Sequence, residues 1–323
     1  MAKTKQEKLD LKAEKQYYKT HKKKQKLTVG DVIFNILNYA FFGIFTISCI
    51  FPFYYLFINT ISDNSLVRIG AINFIPKGIH FQNYLSLLNA GEILDAFLVS
   101  ASRTVIGTAL MVVVSALAGY LMTKQEMWHR KIWYRFLVIT MYFNAGLVPT
   151  YLNFLMLGLT ENYLVYIIPA IVQPYNIILV KTYIESIPAE LEESAFIDGA
   201  SHMKIFRNII WPLSKPILAT IAIFGAVGHW NSFMDSILYM SGTPELQTLQ
   251  HRLYIYLNQT TSLANIMQGG VSSSQAASAM ASVMDAKTIK YTISMVTVIP
   301  ILAVYPFMQR YFEKGIMLGA VKG

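Results

Sequence analysis

Charge is what this sequence has least of. Only 14% of its 323 residues are charged, against 54% that are hydrophobic, whereas a soluble domain carries about 25% charged residues. That leaves too little polar surface to coat a water-soluble globule. Cysteine is nearly missing as well. Cys49 is the single one, which excludes an intrachain disulfide and a thiolate metal cluster; inside an apolar run it reads as a small apolar filler. No G-x-x-x-x-G-K-[ST] phosphate loop occurs, so the chain is not expected to hydrolyse ATP itself. The six histidines are scattered without His-Glu-x-x-His spacing, so the acid–base pairs, activated nucleophiles and metal ligand sets that an enzyme needs find little support.

What is present is apolar length. A helix needs about 20 mostly apolar residues to cross a bilayer, and six segments meet or approach that: Tyr39–Ile58, Thr104–Thr123, Phe136–Leu159, Tyr163–Val180, Ile217–Met240 and Tyr291–Met308. Only the fifth contains a formal charge, Asp235. Each is too long and too apolar for the alternating pattern of a membrane barrel strand. The expected fold is all-α, a polytopic membrane protein with six transmembrane helices.

The net charge of +9 suits nucleic acid in amount but not in placement. Ten of the 27 Lys and Arg lie in residues 1–31 and most others border apolar spans, a membrane pattern. With the N-terminus inside, cytoplasmic pieces 1–31, 124–135, 181–215 and 310–323 hold 21 of the 27. Both termini are therefore expected in the cytosol. No cleavage site follows the first apolar run, so it reads as an uncleaved membrane helix behind a basic segment lying on anionic headgroups or disordered. Outside, residues 59–92 and 241–290 form long loops. The second contains "QGGVSSSQAASAMASVMDAK", the composition of a mobile connector.

One cytosolic stretch interrupts the apolar pattern, "EESAFIDGASHMKIFRNIIWPLSKP", residues 192–216. Ser186 can cap a helix and Pro188 suits its first turn. Glu190, Glu192 and Glu193 then lie near the positive end of its dipole, and Gly199 ends it. Ser201 can cap a second helix, with Met203, Phe206, Ile209 and Ile210 on one face and Lys204, Arg207 and Asn208 on another. On pattern alone this is a helix–turn–helix either docked on a partner or lying on the bilayer surface.

The detail is more specific. Glu193-Ser194-Ala195, three residues, Gly199, nine residues and Ile209-Ile210-Trp211-Pro212 resembles the "EAA–G–I-x-L-P" signature of ATP-binding-cassette importer permeases. Ser194 stands where that family usually has Ala, and Trp211 where it usually has Leu. "VGHWNSFMDSILYM" resembles the family's Trp-Asn-x-Phe segment, and the ending "YPFMQRYFEKGIMLGAVKG" the tail of the carbohydrate, maltose-permease-like class. "MYFNAGLVPTYL" and "GLTENYLVYIIPAIVQPYNIILVKTYIESIP" fit its polysaccharide and oligosaccharide subgroup. The likeness runs from about residue 30 to the C-terminus.

The resemblance implies a type I importer permease fold in a bacterial cell membrane. It comprises a basic segment 1–31, a permease domain 32–312 with coupling helices at 186–211, and a cytosolic tail 313–323. It implies a second permease subunit, usually a different chain, two cytosolic ATPase subunits that hold ATP and Mg, an extracellular substrate-binding protein and an oligosaccharide cargo. No cofactor on this chain and no nucleic-acid partner are implied. Glu192, Glu193, Ser194, Ala195, Asp198, Gly199, Ile209 and Pro212 would form the ATPase-coupling site, with Glu192, Glu193 and Asp198 in contact and Gly199 permitting the turn.

Polar and aromatic residues at membrane depth are candidates for the solute pathway. They are Asn144, Tyr175, Asn176, Trp230, Asn231 and Asp235, with Gly146, Gln173, His229 and Tyr142 beside them. Each also has a reading as helix-bridging or interface packing. Arg103 reads as a side chain snorkelling to headgroups. A self-contained secondary transporter driven by an ion gradient is the competing function. It would favour ionisable groups at the midplane and repeated halves; Asp235 is the only acidic candidate and no repeat is visible.

Overall fold

The computed structural model describes residues 28–89, 91–268, 287–306 and 309. The basic segment 1–27, the Ser/Ala/Gly-rich 269–286 and the tail from 310 onward lie outside the described residues. Every regular element among the described residues is helical. The chain falls into two compact units, one up to Tyr54 and one from Tyr55.

The first long helix, α1, is Val29–Thr60. It begins with a reciprocal cap: Thr28 donates through its N–H and its hydroxyl to Asp31 Oδ2 at 2.9 and 2.7 Å, and Asp31 N–H donates back to Thr28 Oγ1 at 3.3 Å. Such a box satisfies the free donors of the first turn. Within the second unit, the loop after α1 is tied down by polar pairs. Asn83 donates to Thr60 O and to Asn64 Oδ1, both at 2.9 Å, and Asp63 caps the short helix Asn64–Arg68 by accepting from Ser65 N–H at 2.8 Å.

The spine of the second unit is α2, Glu92–Thr123, 32 residues. It begins well before Thr104, so Arg103 lies inside it. Residues 130–156 form two helices, α3 (Arg130–Tyr142) and α4 (Leu147–Met156), where one span was expected. The break has a local cause: Asn144 Oδ1 accepts from Gly146 N–H at 2.8 Å, and Gly146 sits at φ +86°. A side-chain-closed turn ending in a left-handed residue stops a helix.

The next apolar stretch, Tyr163–Ile184, is long and apolar enough to cross a membrane. It is interrupted before Pro174, with Val172 and Gln173 extended, and resumes as α5, Pro174–Ile184. Proline supplies no N–H to continue the preceding turn and forces the residue before it out of helix. The elbow follows: α6, Glu190–Ile197, then an arm over His202–Leu213 whose middle, Phe206–Ile210, is a π turn. The arm meets α7, Lys215–Asn231, at 78°. Ser232 and Phe233 then break the chain before α8, Met234–Tyr239.

Two further helices close the unit: α9, Leu249–Gln268, and α10, Lys287–Pro306. The first corrects the expectation of a plain loop across 241–290. Thr248 Oγ1 accepts from His251 N–H at 3.3 Å and Ser100 Oγ accepts from Leu249 N–H at 2.8 Å, so the helix start is capped and pinned to α2.

Four described helical segments are long and apolar enough to cross a membrane, or five if the bent pair at Ser214 counts as one span. Core packing runs along α2. Near its Thr123 end, Ala116 and Tyr120 pack with Val180, Ile184, Ile205, Phe206, Ile210 and Ile221. Near its Glu92 end, Val99 packs with Tyr166, Tyr239 and Met240, and Ile93 and Ala96 pack with Trp230, Leu249 and Ile293. A Cβ at Gly107 would overlap the His229 ring. Glycine there lets α2 and α7 approach closely, as small residues do in membrane bundles.

Candidate functional site: the elbow and the Arg103 cavity

Two places bring together the residues that the sequence singled out. The elbow is the first. Its turn is a complete Schellman motif. Gly199 N–H donates to Phe196 O and Ala200 N–H to Ala195 O, both at 2.9 Å, with Gly199 at φ +73°. The motif satisfies carbonyls that a helix end leaves free, and a residue with a Cβ is disfavoured at that φ. Ser186 does not cap α6; its hydroxyl donates to Tyr183 O at 2.6 Å, and α6 starts only at Glu190.

The buried face of the arm is Ile205, Phe206 and Ile210, with Ile209 half-buried. Met203, expected on that face, is 62% exposed. Ile205, Phe206, Ile209 and Ile210 form a stripe at i, i+1, i+4 and i+5, and at about 100° per residue Met203 lies roughly a quarter-turn from its centre. The acidic residues divide. Glu192 pairs with Lys124, whose ammonium also lies 4.2 Å from the Tyr120 ring centre. Glu193, Ser194 and Asp198 are exposed, as is Ile197 at 87%. One carboxylate thus braces the elbow against α2, and the others face outward.

The second place is a cavity of about 470 Å³ between α2, α5, α7 and α8. Arg103 borders it, only 2% exposed, and so does not snorkel. It donates through Nη2 to Asp235 Oδ2 at 2.5 Å and through Nη1 to Asp235 Oδ1 at 3.3 Å. Nη1 also reaches Ser232 O at 3.4 Å, and the guanidinium lies 4.3 Å from the Tyr166 ring centre. The α7–α8 break is what lets Asp235 meet it. A buried charge is tolerable only when paired and hydrogen-bonded, and this fork-to-carboxylate geometry is the strong form of such a pair.

Of the expected pathway residues, Tyr175, Asn176 and Asp235 line this cavity. Asn144 does not; it closes the turn at the α3–α4 break. Trp230 is buried elsewhere, donating to Thr297 O at 3.1 Å with its ring edge-on to Phe97. Asn231 is exposed and accepts from Gln250 at 3.3 Å. Gln173 and His229, expected beside them, line it too, whereas Arg103 and Tyr166 line the cavity without having been expected there. The available signal was the Arg103 charge against Asp235, 132 positions apart.

Outside the spans, burial pushes the His251 imidazole below its ordinary value, Arg252 adds to this, and Asp235 opposes it. His251 Nδ1 lies 2.9 Å from Ser236 Oγ, on the residue after Asp235.

The profile of one family, described as "Binding-protein-dependent transport system inner membrane component", matches residues 26–318. The chain belongs to that family. Several of its relatives are named as permease proteins of saccharide transport systems. It is 34% identical over 291 residues to the polygalacturonan/rhamnogalacturonan transport system permease protein YtcP of Bacillus subtilis strain 168, covering 90% of this chain and 99% of that one. It is 32% identical over 298 residues to protein LplC of the same organism, covering 92% and 97%.

A chain of a bacterial ABC transporter involved in the import of the acidic polysaccharide alginate superposes with a TM-score of 0.75 at 31% identity. The match covers 88% of this permease and 99% of that chain. The fold is thus that of an ABC importer permease, and the chain is a permease component of that family. The secondary-transporter reading is displaced.

Proposed function

We propose that this permease forms half of the pathway of an ATP-driven oligosaccharide importer, crossing the cell membrane six times with both termini in the cytosol. The broken pair α3 and α4 together make the third span, and α7 with α8 the fifth. Residues 32–312 are the permease domain, 1–31 a basic cytosolic segment and 313–323 a cytosolic tail, with outer loops at 59–92 and 241–290. A second permease chain completes the pathway. Two ATPase subunits carrying ATP and Mg dock beneath, and a substrate-binding protein delivers cargo from outside.

The elbow at 186–211 is the coupling element. Glu193, Ser194 and Asp198 face the ATPase, while Ala195, Ile209 and Pro212 set the shape and Gly199 the turn. Glu192 stands behind them, held by Lys124. The cargo passes the cavity bordered by Tyr175, Asn176 and Asp235. The saccharide assignment draws on the cargoes after which the relatives are named, polygalacturonan, rhamnogalacturonan and alginate.

The observation that carries the reading is the family match over residues 26–318, joined to an elbow whose exposed acidic turn is closed at Gly199. The test is recovery and energetics. Extraction in mild detergent is expected to bring down an ATPase subunit, and uptake into cells to stop on ATP depletion while surviving a proton uncoupler. Uptake that survives ATP depletion and fails with the uncoupler would overturn it.

A further inference from the structure

The hydrogen-bonding groups around the Arg103 cavity are out of balance. Its one formal anion is fully engaged: Asp235 Oδ2 accepts from Arg103, and Oδ1 accepts from Arg103, from Ser232 Oγ at 3.0 Å and from Ser236 N–H at 2.9 Å. The donors are not. Arg103 Nε is buried with no hydrogen-bond partner among the described residues. Asn176, 6% exposed, donates its amide only to the thioether of Met111 at 3.2 Å, and a thioether is a weak acceptor. Gln173 reaches Ala170 O at the long distance of 3.5 Å. A cavity with idle donors and a saturated acceptor suits an oxygen-rich ligand that accepts more than it donates.

Arg103 can also be released. If its fork turns away, Asp235 keeps the Ser232 hydroxyl and the Ser236 N–H, so the carboxylate is not stranded. Arginine's planar fork matches a carboxylate in two parallel bonds, and the Tyr166 face backs the guanidinium. At about 470 Å³ the space falls within the range of about 300–1,000 Å³ typical of small-molecule sites. The exposed Tyr175 ring on its wall offers an apolar face to the C–H side of a sugar.

We propose that this cavity binds carboxylated sugar units, with Arg103 exchanging Asp235 for the ligand's carboxylate while Gln173 and Asn176 donate to the remaining oxygens. The proposal rests on the saccharide reading above and adds to it the charge of the cargo and the residue that reads it. Arg103 becomes a substrate-contacting residue, and its pair with Asp235 becomes the resting state of the site.

The test is equilibrium binding to the full transporter complex in nanodiscs, without the substrate-binding protein. The two probes are tetragalacturonate and the same oligosaccharide with its carboxyls reduced to primary alcohols. Arg103→Lys keeps the charge opposite Asp235 but loses the fork. It is expected to weaken tetragalacturonate at least 10-fold and the reduced probe less than 2-fold. Gln173→Glu leaves the ion pair untouched and adds an anion at the half-exposed rim; the same selective loss is expected, and it stands as the test should Arg103→Lys fail to assemble.

Equal losses for both probes, or none, would overturn the proposal and leave the pair a structural tie. Wild-type binding of the reduced probe alone would overturn it while sparing the saccharide reading. Binding of neither probe would overturn both.

Discussion

The elbow and the cavity solve opposite problems with the same helix. At its Thr123 end, α2 meets the elbow with apolar groups, and ions such as Glu193 and Asp198 stay on the surface. Around Arg103 the arrangement is inverted: the ions are inside, among polar groups such as Asn176 and His229 and apolar ones such as Met111 and Val165. The elbow is anchored by shape. Burying Ile205, Phe206 and Ile210 removes apolar surface from water, worth about 1.5–3 kcal/mol each. The cavity is held by the need of the buried Arg103 for its partner, since the guanidinium alone would be stranded while Asp235 keeps Ser232 and Ser236. A packed joint transmits force, whereas an ion pair with alternative donors nearby can be exchanged. Each property suits what the proposal asks of that region.

The sharpest way to break the contrast is to strand one ion. Asp235→Ala is expected to destabilise the permease by about 3–5 kcal/mol, the usual cost of leaving a buried charge, here Arg103, without its partner. The paired change Arg103→Met with Asp235→Leu is expected to recover most of that loss in the same thermal-unfolding measurement in detergent. If the single change is harmless, Arg103 does not depend on Asp235 and the inverted picture fails.

Next comes the elbow's turn. Gly199→Val places a β-branched residue at φ +73°, costing about 1–2 kcal/mol or more locally. No atom lies within 4 Å of its new Cβ, so the penalty is conformational rather than steric. Insertion is expected to be normal and uptake to fall more than 10-fold while ATP hydrolysis continues. Normal uptake would remove Gly199 from the coupling role.

A smaller effect separates the two neighbouring glutamates. Lys124→Glu alone sets two carboxylates against each other, and the added Glu192→Lys restores the pair reversed. The single change is expected to lower stability by about 0.2–1 kcal/mol, as surface-type pairs do, and the swap to regain it. Glu193 has no ion-pair partner among the described residues, so Glu193→Lys is expected to lose uptake without losing stability, and no change on α2 is expected to rescue it.

The smallest effect is a pH dependence. His251 has its folded value lowered by burial, so its stability contribution is present above the unfolded value of about 6.5 and is lost as pH falls through the folded one. The unfolding midpoint is expected to drop between about pH 7.5 and pH 5, and His251→Gln to flatten part of that drop.

How much of this was legible depended on distance along the chain. The elbow's turn could be read because its parts are neighbours: Ala195, Gly199 and Ala200 lie within one turn of each other. The capped start at Thr28 and Asp31 is local too, a box of two residues three apart in front of a long apolar run. The α3–α4 break was also written locally, in Asn144 and Gly146, but as a turn signal hidden within hydrophobic residues.

The cavity could not be read that way. Arg103 looked like an interfacial arginine because its partner stands 132 residues on, beyond a break in α7 that no periodicity shows. Trp230 and Asn231 illustrate the converse. They sit beside the pathway in sequence, yet the turn of α7 carries the indole toward Thr297 and the amide toward Gln250. Met203 failed for a third reason: the buried stripe of the arm is centred on Ile205, Phe206 and Ile210 rather than on the line through Met203 and Phe206.

The bend at Ser214 has a mechanical consequence. Pro216 supplies no N–H to Pro212, so the helix turns there by 78°, yet Ser214 N–H still donates to Ile210 O at 2.8 Å and Leu218 N–H to Ser214 O at 3.0 Å. The corner is thus bonded across rather than slack, and it works as a crank instead of a string. An arm of that length is about 18 Å at 1.5 Å per residue. Pivoting it by roughly 10° would sweep its far tip about 3 Å, with the shaft, α7, forced to turn beside Gly107 where almost no clearance exists.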